Sequence, residues 1–243
     1  MILNTLIAVA SVIAGSIASV SGFGIGSIVT PLLAIRVGTK LAVAAVSIPH
    51  LIATALRFAR IGKHVDKRVF VSFGITSAVG GLLGALLHGR FSSSLLSYIL
   101  GALLVFAGLM GITGLSKRMR FEGAAAWIAG ALSGTFGGLV GNQGGIRSAA
   151  MLGMQVSKES FVATATAIAL VVDFARMPVY AVMQGRPVLQ IWPVLLLAII
   201  GVVLGTLAGE RILKRIPEPV FRRVVSAIIL ALGVGLILHP GTG

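Results

Sequence analysis

Ser21-Gly22-Phe23-Gly24-Ile25-Gly26-Ser27-Ile28-Val29-Thr30-Pro31 interrupts a long apolar run with glycines. Gly134-Thr135-Phe136-Gly137-Gly138-Leu139-Val140-Gly141-Asn142-Gln143-Gly144-Gly145-Ile146-Arg147 interrupts another, about 115 residues later. A glycine in a helix interior costs about 1 kcal/mol relative to alanine. Several within a few residues, beside Pro31 in the first case, predict that a helix stops and restarts. In lipid, the backbone groups freed by such a break must be buried in protein or line a wet cavity. Paired breaks at matching positions are therefore a pointer to a transporter's binding site. Taken singly, Gly22 with Gly26, or Gly137 with Gly141, would also suit close helix packing. The duplication, and Asn142, Gln143 and Arg147 in the second copy, favour a site.

Composition sets the solvent. The 243 residues are 57% hydrophobic and 11% charged, against roughly 25% charged for a soluble domain. Apolar runs long enough to span recur along the whole chain, so the expected class is an all-α polytopic membrane protein. The net charge of +14 comes from basic residues in short loops. They form no aromatic-laced patch for nucleic acid and suit anionic headgroups at cytoplasmic loops. With no cysteine, thiolate metal sites and iron–sulfur ligation are excluded. The N-terminus has no basic n-region, so a cleaved signal peptide is not expected.

Hydropathy predicts a helix over about 3–20, the break, a helix over about 27–36, and spans over about 41–58, 69–88 and 94–114. After the basic Lys117-Arg118-Met119-Arg120 the pattern returns. A helix over about 123–135, the break, a helix over about 145–154, and spans over about 160–183, 188–209 and 220–238 follow. Ile13-Ala14-Gly15 matches Ile128-Ala129-Gly130, and Gly22, Gly26 and Gly38 match Gly137, Gly141 and Gly153. Arg57-Phe58-Ala59-Arg60 matches Asp173-Phe174-Ala175-Arg176, Gly80 and Gly84 match Gly201 and Gly205, and Gly108 matches Gly233. An ordered series of this kind predicts a duplication: residues 1–116, a connector at 117–121, and residues 122–243.

Lysine and arginine orient the chain. Arg57, Arg60, Lys63, Lys67 and Arg68 flank one loop, Lys117, Arg118 and Arg120 lie in a second, and Arg211, Lys214, Arg215, Arg222 and Arg223 flank a third. All three can be cytoplasmic together with Lys158, leaving Arg36, Lys40, Arg90 and Arg186 opposite. Each half then holds a broken, re-entrant hairpin (about 3–36 and 123–154) plus three spans. An odd number of crossings inverts the halves, brings the two breaks together near the midplane and leaves both chain ends outside. The expected setting is a bacterial inner (cell) membrane.

Broken helix ends expose amides with a partial positive charge of about +0.5, which suits an anion. The candidate binding residues are Gly22, Gly24, Gly26, Ser27, Thr30, Gly141, Asn142, Gln143, Gly144, Gly145 and Arg147. The glycines bring backbone close, and the amide and hydroxyl side chains donate and accept. Arg147 can grip an oxyanion with two parallel bonds; otherwise it would snorkel to the cytoplasmic surface. His50, Arg57, Asp173 and Arg176 are candidates for a proton or gating role. Their blander readings are a packing histidine at the Pro49 kink, an inner-interface anchor for Arg57, and a local Asp173–Arg176 pair near the outer surface. No nucleotide loop, hydrolase elbow or metal-spaced cluster appears, so no enzyme activity, cofactor or metal is expected.

On these paired segments, Gly22-Phe23-Gly24-Ile25-Gly26 running to Pro31-Leu32-Leu33, and Gly137 to Gly145, the chain resembles the TauE/SafE family of sulfite-exporter-type permeases over nearly its whole length. Members carry adjacent glycines in both segments. Here Ile25 stands within the first, and the second lacks the matching proline. The resemblance implies transport of sulfite, sulfonates or related small anions such as sulfoacetate. A potential of 100 mV, negative inside, drives an anion outward by about 2.3 kcal/mol per charge. With Asp173 the one acid deep in a span, export or uniport is expected over cation-coupled import; the alternatives are an importer or channel for another small anion or metabolite and, behind these, an intramembrane enzyme.

Overall fold

The computed structural model describes residues 2–115, 123–152, 157–213 and 217–240. The basic connector at 117–121, Gly153, Lys214 and Arg215 lie outside the described residues. All regular structure among the described residues is helical. Helix α1 (Ile2–Ser21) ends at the first break, and α2 (Ile25–Ile61) restarts after it. A short α3 (Lys67–Val69) runs through a π-helical turn at Phe70–Gly74 into α4 (Ile75–His88), and α5 (Ser93–Thr113) closes the first half of the chain. Then come α6 (Ala124–Val140), the second break, α7 (Gly144–Leu152), α8 (Lys158–Gln190), α9 (Trp192–Leu213) and α10 (Glu218–Leu238). Among the described residues, seven helices are long and apolar enough to cross a membrane.

The expected helix at 27–36 and span at 41–58 lie on either side of Gly38, where the backbone of α2 leaves helical geometry (φ 76°, ψ 155°) and the helix kinks into two arms. Two boundaries differ from the hydropathy reading. α6 runs on to Val140, past the expected end near 135. The expected stop near Gly185 and Pro187 is absent, and α8 continues to Gln190. Proline removes only one backbone hydrogen bond, so α8 runs through Pro187 without a loop.

The helices pack mainly across the chain's midpoint. α1 lies along α9, α4 along α6, and α5 along α10, while α2 crosses α8. Two of these interfaces are copies of each other. Gly15 faces the Val202 carbonyl, and Gly134 faces that of Ser77. Gly205 touches the Val12 carbonyl and Ser16 amide, and Gly80 touches the Ala131 carbonyl and Thr135 amide. Gly209 against Ser16 answers Gly84 against Thr135. Contacts thus pair Gly80 with Gly205 and Gly84 with Gly209, one turn away from the pairing that string matching suggests. Such ridges of small residues let backbones approach, and dispersion between close backbones holds helices together where lipid removes the hydrophobic drive.

A side chain at Gly84 would overlap the Thr135 carbonyl and crowd the Leu139 amide, both backbone atoms that cannot step aside. Gly84→Val is expected to lower stability by about 1–3 kcal/mol through overpacking. Thermal unfolding in detergent checks this, with Gly235→Ala, where nothing lies within 4 Å, as the neutral comparison.

Candidate functional site

Both breaks begin in the same way. Gly22 and Gly141 adopt φ of 77° and 73°, the left-handed geometry that glycine takes without steric cost. Each returns its amide to the helix just ended, Gly22 to the Ala18 carbonyl (3.0 Å) and Gly141 to that of Gly137 (3.1 Å). The same carbonyl then receives an arginine from a crossing helix. Arg57 Nη1 of α2 donates to Ala18 O at 2.8 Å, and Arg176 Nη1 of α8 donates to Gly137 O at 2.5 Å. A helix ends with four carbonyls lacking intrahelical partners. At the end of α6, Tyr180 takes Gly138 O and His88 Nδ1 takes Leu139 O (2.7 Å). One shift along the chain relates Ala18 to Gly137, Gly22 to Gly141 and Arg57 to Arg176. The arginine equivalent to Arg176 is therefore Arg57, although matching the strings at 57–60 and 173–176 points to Arg60.

The partners of the two arginines differ. Arg176 is held by Asp173 Oδ1 through Nε (3.0 Å) and Nη2 (2.7 Å), and Asp173 Oδ2 takes His50 Nδ1 at 2.6 Å. Arg57 Nε donates to Thr166 Oγ1 at 2.8 Å, and the position matching Asp173 is Thr54, buried with its hydroxyl unpartnered. Arg176 is thus paired with a carboxylate and Arg57 is not. Both are buried and bonded to the breaks, so neither is the exposed surface residue of the blander readings.

The breaks also meet each other. Gly26 backs onto the Gly141 carbonyl, and Ser27 Oγ lies 3.5 Å from Asn142 Oδ1. Thr30 lies beside Gly141. Arg147 Nη2 crosses to the Gly22 carbonyl at 3.0 Å. Its side chain is 1% exposed, so it does not snorkel. Ser133 Oγ donates to the Gln143 carbonyl at 3.0 Å. Gly24 packs on Ile17, while Phe23 and Ala107 fill the space that side chains would take at Gly144 and Gly145. Those two glycines accommodate neighbours as well as exposing the first amides of α7.

Unmet hydrogen-bonding capacity is concentrated here. Arg147 Nε and Nη1, Asn142 Nδ2, Gln143 Nε2 and Oε1, and the Thr30 and Ser148 hydroxyls are buried without a partner. Native structures leave few such groups, because each costs about 1–3 kcal/mol. Nearly all are donors, and among the described residues Arg57 and Arg147 have no paired carboxylate. Unpartnered donors and uncompensated positive charge are what the oxygens of an anion would satisfy.

A family model described as Sulfite exporter TauE/SafE matches residues 7–236. The chain belongs to the TauE/SafE family. Members of the TauE/SafE family are sulfite- and anion-exporter-type membrane transporters, and the seven apolar helices fit a multi-pass integral membrane protein. No curated protein and no solved structure matches the chain.

Thr54, His88, Ser133, Thr166 and Tyr180 join this cluster without having been singled out in the sequence. For Tyr180 a signal existed: it follows Arg176 by four residues and so shares its helix face. The others carry no pattern that separates them from ordinary small or polar residues of a span.

Proposed function

We propose that this chain carries a small sulfur-containing oxyanion of the sulfite, sulfonate or sulfoacetate class out of the cell, by alternating access around the paired breaks. The observation that carries the reading is Arg147, fully enclosed, with one guanidinium nitrogen on Gly22 and two unpartnered. An oxyanion taking Nε and Nη1 would draw further bonds from Asn142, Gln143 and Thr30 and would offset two buried charges. The helix ends do not supply that offset. The C-termini of α1 and α6 and the N-termini of α2 and α7 meet at the breaks, so their partial charges of about −0.5 and +0.5 cancel in pairs. Asp173 answers Arg176, and Arg57 and Arg147 remain.

Two inverted repeats, 1–116 and 122–243, supply the moving parts in this reading. Support comes from the duplicated α1·α9 and α4·α6 interfaces and from the shared arginine cap at each break. If the halves exchange roles, the contacts between the breaks persist while the flanking helices tilt.

The test is binding and flux with purified protein. In detergent at fixed ionic strength, sulfite or sulfoacetate is expected to raise the melting temperature by mass action. Arg147→Gln and Asn142→Ala should abolish that shift while each variant still melts cooperatively. In proteoliposomes flux should saturate and show counterflow. An undiminished shift in Arg147→Gln would remove the breaks as the site, and flux without counterflow would make the protein a channel.

A further inference from the structure

Away from the breaks, the ends of α4 and α8 and the start of the second arm of α2 enclose a cleft of about 750 Å³. Lys40 and Arg90 stand among its walls, with Leu83, Leu87 and Met183. Lys40 Nζ gives one bond to the Gly89 carbonyl at 2.8 Å, which leaves two of its three hydrogens. Arg90 is exposed, and among the described residues neither cation is paired with a carboxylate. The three apolar residues are also exposed, at 52%, 38% and 43%. On the proposed reading that the breaks lie near the midplane, depth follows from α8. Met183 lies ten residues beyond Asp173, which holds the arginine capping the second break. At about 1.5 Å per residue that is at most ~15 Å, half of a hydrocarbon core of ~30 Å. The cationic ends of Lys40 and Arg90 then reach toward headgroup level, and the leucines one or two turns deeper flank acyl chains.

We propose that this cleft holds one anionic phospholipid, its phosphodiester on Lys40 and Arg90 and an acyl chain along Leu83, Leu87 and Met183. A zwitterionic lipid brings its own cation to a corner that already has two and no acid. The lipid also has a route to the breaks. His88, the last residue of α4, sets Nε2 3.1 Å from the Lys40 carbonyl and Nδ1 2.7 Å from the Leu139 carbonyl, and a neutral ring donates to one of the two at a time. A headgroup on Lys40 braces the residue that caps the end of α6.

The full chain in a neutral detergent, titrated with phosphatidylglycerol or phosphatidylcholine, decides the matter; bound lipid is read by native mass spectrometry and melting temperature together. Phosphatidylglycerol is expected to bind tighter and raise the melting temperature more, while glycerol 1-phosphate leaves it unmoved. Arg90→Ala should weaken the phosphatidylglycerol site about fivefold, and adding Lys40→Gln about thirtyfold, from the contribution of each interfacial cation. Arg90→Glu alone, at an exposed position with no partner to lose, should do at least as much as Arg90→Ala should the double variant fold poorly. Equal binding of the two lipids, or phosphatidylglycerol binding unchanged in the Arg90 variants, would overturn the proposal. So would an equal shift with glycerol 1-phosphate, which would make the cleft a vestibule for soluble anions.

Discussion

In detergent, Asp173→Asn is expected to lower the melting temperature more than any other single change of one atom at the site. Asp173 is fully buried and answers Arg176 through two nitrogens and His50 through one. Asparagine keeps the shape, and its carbonyl can still accept from Arg176 while its amide faces the His50 ring. What it removes is, among the described residues, the one buried negative charge beside three enclosed arginines. Removing one partner of a buried pair costs about 3–5 kcal/mol, because the other charge is left uncompensated. For a chain of this size each kcal/mol moves the midpoint by roughly 2–4 °C, so the shift should reach about 6 °C at the least. Asp173→Asn combined with Arg176→Met should recover part of the loss, since it deletes both charges, although the bond to the Gly137 carbonyl is lost with the guanidinium. A midpoint in Asp173→Asn within about 2 °C of the parent would mean that solvent or another group already screens Arg176.

Gly26→Val is expected to eliminate transport while leaving a folded protein. A Cβ at Gly26 would overlap the Gly141 carbonyl oxygen, a backbone atom held at the left-handed turn of the other break. The first arm of α2 must then retreat, which pulls Ser27 from Asn142 and carries Gly22 from Arg147. Overpacking of this kind costs about 1–3 kcal/mol in stability. The effect on flux should be larger, because a displacement of about 1 Å at a positioned site can cost 100-fold in rate. Gly26→Ala should fall between Gly26→Val and the parent, and Gly235→Ala should match the parent in proteoliposome flux. Normal flux with Gly26→Val would show that the contact between breaks is dispensable.

Much of the candidate site was legible. Glycine spacing announced both interruptions, and Asn142, Gln143 and Arg147 stood out because polar groups are rare and costly in apolar runs. What escaped was the role of Arg57 and Arg176 as caps, and the register that relates them. Matching Arg57-Phe58-Ala59-Arg60 to Asp173-Phe174-Ala175-Arg176 maximises identical letters. The structural correspondence is set instead by which carbonyl a finished helix leaves open, here Ala18 and Gly137, and by which guanidinium reaches it.

The sequence by itself determined the solvent, the helical class, the family likeness and the two places where helices break, since each follows from local composition and from the cost of glycine in a helix. Only the tertiary structure decided that the breaks touch, that Asp173 joins His50 to Arg176, and that Arg57 lacks such a partner. Those are contacts between residues more than a hundred positions apart or choices among several nearby acceptors. Distance and direction in space fix them, and no periodicity along the chain encodes either.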